Sequence, residues 1–364
     1  AISNLAAEKE AEGADIVDLS VGEPDFDTPA NVVEAGKAAL DAGHTGYTSS
    51  NGIPALREGI AEKLRGQGVD ATADEVIVTP GGKQALYETI GTLIDDGDEV
   101  VLLDPAWVSY EAMVKLAGGA LSRVDLAPHG FQLEPALEDL AEAVSDDTAL
   151  LVVNSPSNPT GAVFSETALE GVRDLAVEHD IAVISDEIYG QIVYDADHVA
   201  LASLDGMHDR TITINGFSKA YSMTGWRLGY LHATEAFVSQ AGKLHSHSVS
   251  CATNFVQHAG VEALEHTDEA VEEMRQAFAD RRDLLVDLFD EHDVDVDVGE
   301  GAFYMMIPVD DDDEAWCERA IEEASVACVP GAAFNAPGFA RISYAASEER
   351  LREAVDRLVT NDLL

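Results

Sequence analysis

Leu150 to Gly161 reads L-L-V-V-N-S-P-S-N-P-T-G, an apolar run that stops at a polar loop. The same shape recurs at A-V-I-S-D-E-I-Y, Ala182 to Tyr189, and at T-I-T-I-N-G-F-S-K, Thr211 to Lys219. Short apolar runs closed by turn residues read as buried strands of a parallel sheet. Val76–Val78, Glu99–Leu103, Leu121–Asp125, Leu150–Val153 and Ala182–Ile184 are expected strands. Gln84–Leu93, Val108–Leu116, Pro135–Ala143 and Glu166–Glu178 between them are expected helices. Pro135 suits a first helical turn, and Ser165 and Ser347 suit N-caps. The alternation predicts an α/β class: a three-layer α/β/α domain with a mostly parallel sheet. Ligands of such sheets gather beyond the carboxyl ends of the strands. Asn154–Asn158, Asp186 and Lys219 all fall there.

The pattern changes toward the C-terminus. A long helical region from about residue 262 to Phe289 is followed by expected short strands at Val294–Val298, Phe303–Ile307, Ser325–Val329 and Ala340–Tyr344, and by a helix at Glu348–Leu358. This predicts a smaller α+β domain. The expected division is a large domain over 31–284 and a small domain that joins 1–30 to 285–364. The first residues, Ala1 to Glu12, read as a helix. No internal repeat or low-complexity linker is evident.

The chain has 364 residues and a formal net charge of −48, from 21 basic and 69 acidic side chains. Charge of one sign on this scale repels nucleic acid and anionic membrane. At 46% hydrophobic residues the chain is still globular rather than a disordered acidic tail. The acids run the whole length, as expected for an intracellular protein of a high-salt organism, where the Debye length is only ~3 Å at 1 M. The alternative is an acidic partner-binding surface. The densest run, Asp310 to Glu314, is expected to be a solvated loop. Three cysteines (Cys251, Cys317 and Cys328) without a C-x-x-C pair suit a reducing cytoplasm and give no metal framework. No apolar stretch reaches the ~18–20 residues of a membrane span, and no signal peptide opens the sequence.

Acid-free windows stand out in such a chain: Thr148–Ser165, Thr211–Thr234, Ala236–Val261 and Ala324–Ser347. Buried strands avoid charge in any case, but these windows are rich in Ser, His, Asn, Lys and Arg. A site for anionic ligands would exclude carboxylates in the same way. Lys219, Arg227 and Arg341 lie in these windows, and the chain has only seven lysines.

The groups after the strands suit pyridoxal phosphate. A lysine amine forms an imine with an aldehyde cofactor, which assigns Lys219. Asp186 would stabilise the protonated ring nitrogen, Asn158 and Tyr189 would hold the ring hydroxyl, and Arg227 would grip the phosphate. Gly81-Gly82-Lys83-Gln84 lies between a strand and a helix, where a helix N-terminus attracts the same phosphate. Trp107 would stack on the ring, and Arg341, in R-I-S-Y, would bind a substrate carboxylate. The plainer alternatives are a helix N-cap for Asp186, core packing for Trp107 and a surface position for Arg341.

These motifs resemble the class I aminotransferases, fold type I pyridoxal-phosphate enzymes, and among them the prokaryotic aspartate aminotransferases. The likeness runs from V-G-E-P-D-F-D-T-P (Val21–Pro29) through V-N-S-P-S-N-P-T-G, S-D-E-I-Y, S-K-A-Y-S-M-T-G-W-R and R-I-S-Y to S-E-E-R-L (Ser347–Leu351). It implies catalytic roles for Lys219, Asp186 and Tyr189. It implies phosphate contacts from Gly82, Lys83 (by its backbone), Ser218 and Arg227, and α-carboxylate contacts from Gly22, Asn158 and Arg341. It also implies a homodimer with shared active sites, in which Tyr47 reaches the partner's phosphate and His245–Thr253 lines the partner's site. His245 and His247 otherwise read as surface or core residues. Two departures are expected. The N-terminal arm that helps close the site in relatives is missing from the sequence, and Gly216 replaces a phosphate-binding serine found in some of them.

The lysine of G-G-K-Q in the relatives helps to bind a distal carboxylate. Lys83 therefore points to transamination of aspartate with 2-oxoglutarate by a ping-pong mechanism. Aromatic amino acids, prephenate or alanine are the alternative substrates, and a C–S lyase on the same scaffold is the alternative reaction. A dinucleotide enzyme is disfavoured because G-x-G-x-x-G is absent. A DNA-binding regulator is disfavoured by the charge and by the lack of a helix-turn-helix segment.

Overall fold

Leu150 and Val152 face one side of a seven-stranded sheet, and Leu151 and Val153 face the other. Both faces are covered, so the run is apolar without alternation. A computed structural model describes residues 2–309 and 312–364. In chain order the strands are β1 (Val17–Asp18), β2 (Val76–Thr79), β3 (Glu99–Asp104), β4 (Ala120–Asp125), β5 (Thr148–Asn154) and β6 (Ala182–Asp186). They continue with β7 (Thr211–Gly216), β8 (Gly229–His232), β9 (Tyr304–Pro308), β10 (Val326–Ala327), β11 (Val329–Pro330) and β12 (Phe339–Ser343).

The large sheet has the order β2-β8-β7-β6-β5-β3-β4, and only β8 runs against its neighbours. The helices before it are α1 (Ile2–Ala11), α2 (Ala30–Asp41) and α3 (Pro54–Gly66). One face is packed by α4 (Gly82–Leu93) and α5 (Val108–Ala117), which place Leu86, Ile90 and Met113 on Val100, Leu102 and Ile184. The other is packed by α6 (Leu137–Ala143) and α7 (Glu166–Glu178), with Leu140, Leu169 and Val172 against Val101, Leu151 and Val183. The first face is extended by α8 (Glu235–Ser248) and the second, at the β2 edge, by α3 and α9 (Asn254–His266). The expected three layers are therefore present. Ser165 caps α7 by accepting from Ala168 N, and Ser347 caps the last helix by accepting from Arg350 N.

After α10 (Asp268–Asp290) come α11 (Asp313–Ala324) and α12 (Glu348–Thr360). β11, β12 and β9 form an antiparallel sheet, and β1 pairs in parallel with β10. Four expectations are corrected here. Val294–Val298 forms no ladder: Val294 and Val296 are half-buried against the core, and its alternation with Asp295 and Asp297 serves a partnerless segment. Ser325–Val329 divides between two sheets, at Val326–Ala327 and Val329–Pro330. The long helical region begins earlier, at Asn254, and is broken at Thr267. Of the acidic run, Asp310 and Asp311 lie outside the described residues. Asp312 is exposed and caps α11, as a solvated loop end does, whereas Asp313 lies in the helix, is buried and accepts from Ala332 N at 2.6 Å, so the loop ends before it.

The sheet is tightest where β7 meets β8. Gly216 faces Gly229. A Cβ on Gly216 would stand 2.9 Å from Gly229 Cα, and one on Gly229 would stand 2.4 Å from Gly82 N. A serine at 216 would have to push β8 away, so the strand packing accounts for glycine there. Gly229→Ala is expected to destabilise the protein by about 1–3 kcal/mol, as overpacking does. The check is a lower denaturant midpoint at unchanged m-value.

Candidate active site

Parallel strands that end in register deliver their last residues to one edge. Asn154 and Asp186 are register partners at the ends of β5 and β6. The Asn154 side chain donates to Asp186 O at 2.9 Å, and its oxygen accepts from Asn158 N at 2.9 Å. This clips the loop carrying Asn158 to the neighbouring strand. β7 ends at Gly216, and its following turn brings Ser218 and Lys219 to the same edge.

A cleft of about 1120 Å³ opens there. It is lined by Gly22, Gly82, Lys83, Trp107, Asn158, Asp186, Tyr189, Ser218, Lys219, Arg227 and Arg341. These are the residues singled out in the sequence, Tyr47 excepted. Tyr47 is 90% exposed and does not line the cleft of its own chain.

Lys219 is half-buried, and its amine donates to Gly22 O. Burial, then the nearby Arg341 and Arg227 charges, pull its pKa from 10.5 down to about 8, while Glu23 and Asp186 act the other way. At pH 7 about a tenth of the amine is then neutral, against roughly one part in three thousand for an ordinary lysine. Asp186 is buried, and burial pushes its carboxyl up to about 6. Hydrogen bonds from the Tyr110 hydroxyl at 2.6 Å and Ile188 N at 3.2 Å limit the rise. The bond to Ile188 closes a local turn, and no helix N-cap forms at Asp186.

Arg341 is buried, contrary to the surface alternative, and sits 4.6 Å from the Tyr304 ring centroid. It donates to Asn158 Oδ1 at 3.0 Å and Ser20 O at 2.6 Å, and its Nε has no partner among the described residues. Arg227 donates to Thr224 O at 2.8 Å and lies against Gly81, where a Cβ would come within 2.5 Å of Nη2. Neither arginine is paired with a carboxylate among the described residues. Ten others are: Arg57, Arg65, Arg123, Arg173, Arg210, Arg275, Arg281, Arg282, Arg350 and Arg357. In so acidic a chain, two unpaired arginines in one cleft mark a place for anions. Lys83, at the start of α4, stands 4.7 Å from the Trp107 ring centroid. Trp107 is half-buried and lines the cleft, so it is not simply core packing.

Several cleft residues were not singled out in the sequence. Tyr110 lies one helical turn after Trp107 and packs edge-on against it at 5.5 Å. Tyr304 bonds the Tyr189 hydroxyl at 2.8 Å and lies where a Cβ on Gly22 would meet its hydroxyl at 2.8 Å. Both read as ordinary aromatic residues of a core helix and strand. The spacing of Tyr110 from Trp107 was the available signal for the first. His245 is buried, its Nδ1 2.9 Å from Glu88 Oε2 and its Nε2 3.0 Å from Ser50 O, so it is a core histidine. His247 is exposed.

A reactive lysine, a buried aspartate and two free arginines at the carboxyl edge of such a sheet define a fold type I transferase site. The chain belongs to the family described as aminotransferase class I and II, whose model matches residues 14–358, and it is a pyridoxal-phosphate-dependent aminotransferase. It is 42% identical over 348 residues to an aspartate aminotransferase of Thermotoga maritima, covering 95% of this chain and 91% of that one. It is 42% identical over 365 residues to an aspartate/prephenate aminotransferase of Thermus thermophilus, covering 98% and 94%. It superposes on a double mutant of the Thermus thermophilus aspartate aminotransferase with a TM-score of 0.95, at 41% identity, covering 100% of this chain and 95% of that one.

The cleft fits the cofactor of that family. Gly81 leaves Arg227 room beside the N-terminus of α4, a cradle for phosphate. Asp186, costly to ionise alone, suits a cationic ring nitrogen. The orphaned Nε of Arg341 leaves a donor for a carboxylate.

The raised Asp186 value has a pH signature in the ligand-free protein. The folded value exceeds the unfolded 3.8, so its contribution to stability is full below about 3.8 and is lost as pH rises through about 6. Asp186→Asn is expected to flatten stability over that window and to stabilise the ligand-free protein at pH 7 by on the order of 2–3 kcal/mol. Denaturant titrations of both proteins at several pH values make the check.

Proposed function

We propose that this cleft uses pyridoxal 5'-phosphate to transfer the amino group of aspartate to 2-oxoglutarate in two half-reactions. What carries the reading is the company of Lys219: an amine at about 8 in one cleft with a buried carboxylate and two arginines that no carboxylate engages among the described residues. Arg227, Ser218, Gly82 and the Lys83 peptide would hold the phosphate. Asp186 would hold the ring nitrogen, Asn158 and Tyr189 the ring oxygen, and Trp107 the ring face. The bound cofactor supplies an electron sink that makes the substrate Cα–H acidic. Lys219 takes the Cα proton as general base and gives it up as general acid. Gly22, Asn158 and Arg341 fix the α-carboxylate and so orient the Cα–H toward the amine.

Lys83 supports the choice of aspartate, since its ammonium borders the cleft with no ion pair among the described residues. Prephenate, aromatic amino acids and alanine are the other substrates that a few changes in this pocket would admit, and C–S lysis is the other reaction. The same reading takes 31–284 as the large domain and 1–30 with 285–364 as the small one, supported by the pairing of β1 with β10. It takes the protein to be a homodimer, in which the exposed Tyr47 reaches the partner's phosphate and the stretch His245–Thr253 lines the partner's site, although the His245 ring itself is turned into the core of its own chain. A cytoplasmic location agrees with three free cysteines. No helix among the described residues is long and apolar enough to cross a membrane.

An absorbance spectrum in molar salt tests the function directly. The lysine-bound cofactor band is expected to shift on adding aspartate and to return with 2-oxoglutarate. A band indifferent to aspartate would reject the substrate, and no band after adding the cofactor would reject the role of Lys219. Lys219→Ala is expected to keep the fold by circular dichroism and to lose turnover by more than about a thousandfold, in line with removal of a nucleophile that is also the base. From the charge of −48, dialysis into dilute buffer is expected to dissociate the dimer or abolish activity. Light scattering and an assay across a salt series would show it.

A further inference from the structure

The far end of the large sheet carries a second cluster of polar groups. Glu75, His208 and His232 each offer a ligand atom, and these atoms all lie within 4.8 Å of one another. Glu75 ends the 3-10 turn Ala73–Glu75 ahead of β2. His208 precedes β7, and His232 ends β8 opposite Val76. The cofactor cleft lies beyond the opposite ends of β5, β6 and β7, so the cluster is separate from it.

His232 is fully buried, and neither of its ring nitrogens has a hydrogen-bond partner among the described residues. Leaving such a group buried and unsatisfied is destabilising. Its Nε2 stands 3.8 Å from Glu75 Oε2. His208 Nε2 lies 3.1 Å from Glu75 Oε1, and the His208 side chain is 32% exposed, so solvent reaches the cluster from that side. Glu75 Oε2 also accepts from Thr72 N at 2.9 Å, which fixes the carboxylate.

A Glu–His hydrogen bond accounts for His208 and Glu75 alone. It does not account for a buried imidazole with two nitrogens that lack a partner among the described residues. Thr213 faces His232 across the β7–β8 ladder, and its buried hydroxyl also lacks a partner. Zinc bonds to nitrogen and carboxylate oxygen at ~2.0–2.2 Å, which places tetrahedral ligand atoms roughly 3.3 Å apart. His208 Nε2 and His232 Nε2 stand 3.1 and 3.8 Å from the two different oxygens of Glu75, and one ligand atom from each residue lies within 4.8 Å of the others, so a small closure is needed to reach that spacing. The half-exposed His208 has the freedom to close the rest.

We propose that Glu75, His208 and His232 form a binding site for a divalent transition ion of the zinc type, with its open position toward solvent beside His208. Two imidazoles and one carboxylate select such an ion over Mg²⁺ or Ca²⁺, which prefer all-oxygen sets. The ion ties the turn before β2, the loop before β7 and the end of β8 together, so its effect is on stability.

The test uses the full chain as isolated, stripped with chelator and kept in salt of about 1 M so that the acidic surface attracts cations weakly. Equilibrium dialysis with Zn²⁺ is expected to give one equivalent per chain. Co²⁺ is expected to give a tetrahedral visible spectrum that Zn²⁺ abolishes and Mg²⁺ does not. His208→Ala, a change at a half-exposed position, is expected to lower Zn²⁺ affinity by more than about tenfold, a change of the size that altered metal environments produce. It should leave turnover unchanged while removing the rise in Tm that Zn²⁺ gives the parent, each protein being compared with its own metal-free form. Glu75→Gln is the second variant and should lose the same Tm response. No stoichiometric uptake by the parent, or equal uptake and Tm response in both variants, would overturn the site.

Discussion

Three of the four cations that line the cleft, Lys219, Arg341 and Arg227, are coupled by repulsion, and the site is organised around it. Lys219 lies close enough to Arg341 and Arg227 for both to lower its pKa, on top of the larger effect of burial. No carboxylate is bonded to any of the three among the described residues. A fold this rich in acids could have neutralised them at little structural cost. Their freedom instead keeps Lys219 partly neutral at physiological pH and leaves two guanidinium groups for a phosphate and a carboxylate. The backbone supports this arrangement by close approach, with Gly216 and Gly229 bringing the start of α4 against the sheet and Gly81 leaving room for Arg227.

Much of this was legible before any coordinates. Buried parallel strands leave a plain mark, an apolar run ended by polar residues, and the ends of β5, β6 and β7 were found that way. Lys219, Arg227 and Arg341 stood out because acids are common in this chain and absent around them. Tyr110 and Tyr304 left no such mark, since a buried tyrosine looks the same whether its hydroxyl points into a core or a cleft. Short strands were misread for a different reason. Val294–Val298 has the right alternation, but a strand exists only if another strand is beside it, and pattern alone does not report partners. Ser325–Val329 was read as one strand because nothing local says that Cys328 separates residues belonging to two sheets.

Aspartate and histidine show how environment rather than identity sets a role. Asp313 is spent on holding Ala332 N, and Asp25 on a paired contact with Arg281. Asp186 has only a tyrosine hydroxyl and one peptide N–H, which leaves its charge available. His245 is satisfied on both sides, whereas His232, equally buried, is satisfied on neither. Composition cannot separate these cases, because each depends on what the chain brings opposite from a distant position.

The stretch from Ser20 to Gly22 rests on borrowed donors. Arg341 gives one of its protons to Ser20 O, and Lys219 gives one of its own to Gly22 O. A carboxylate that takes the guanidinium, or an aldehyde that takes the amine, competes with this backbone for the same hydrogens. The segment behind it is moored elsewhere, by Asp25 to Arg281 and by Thr28 to the Ser222 carbonyl. Occupancy of the cleft and tension in this short strap are therefore two sides of one exchange.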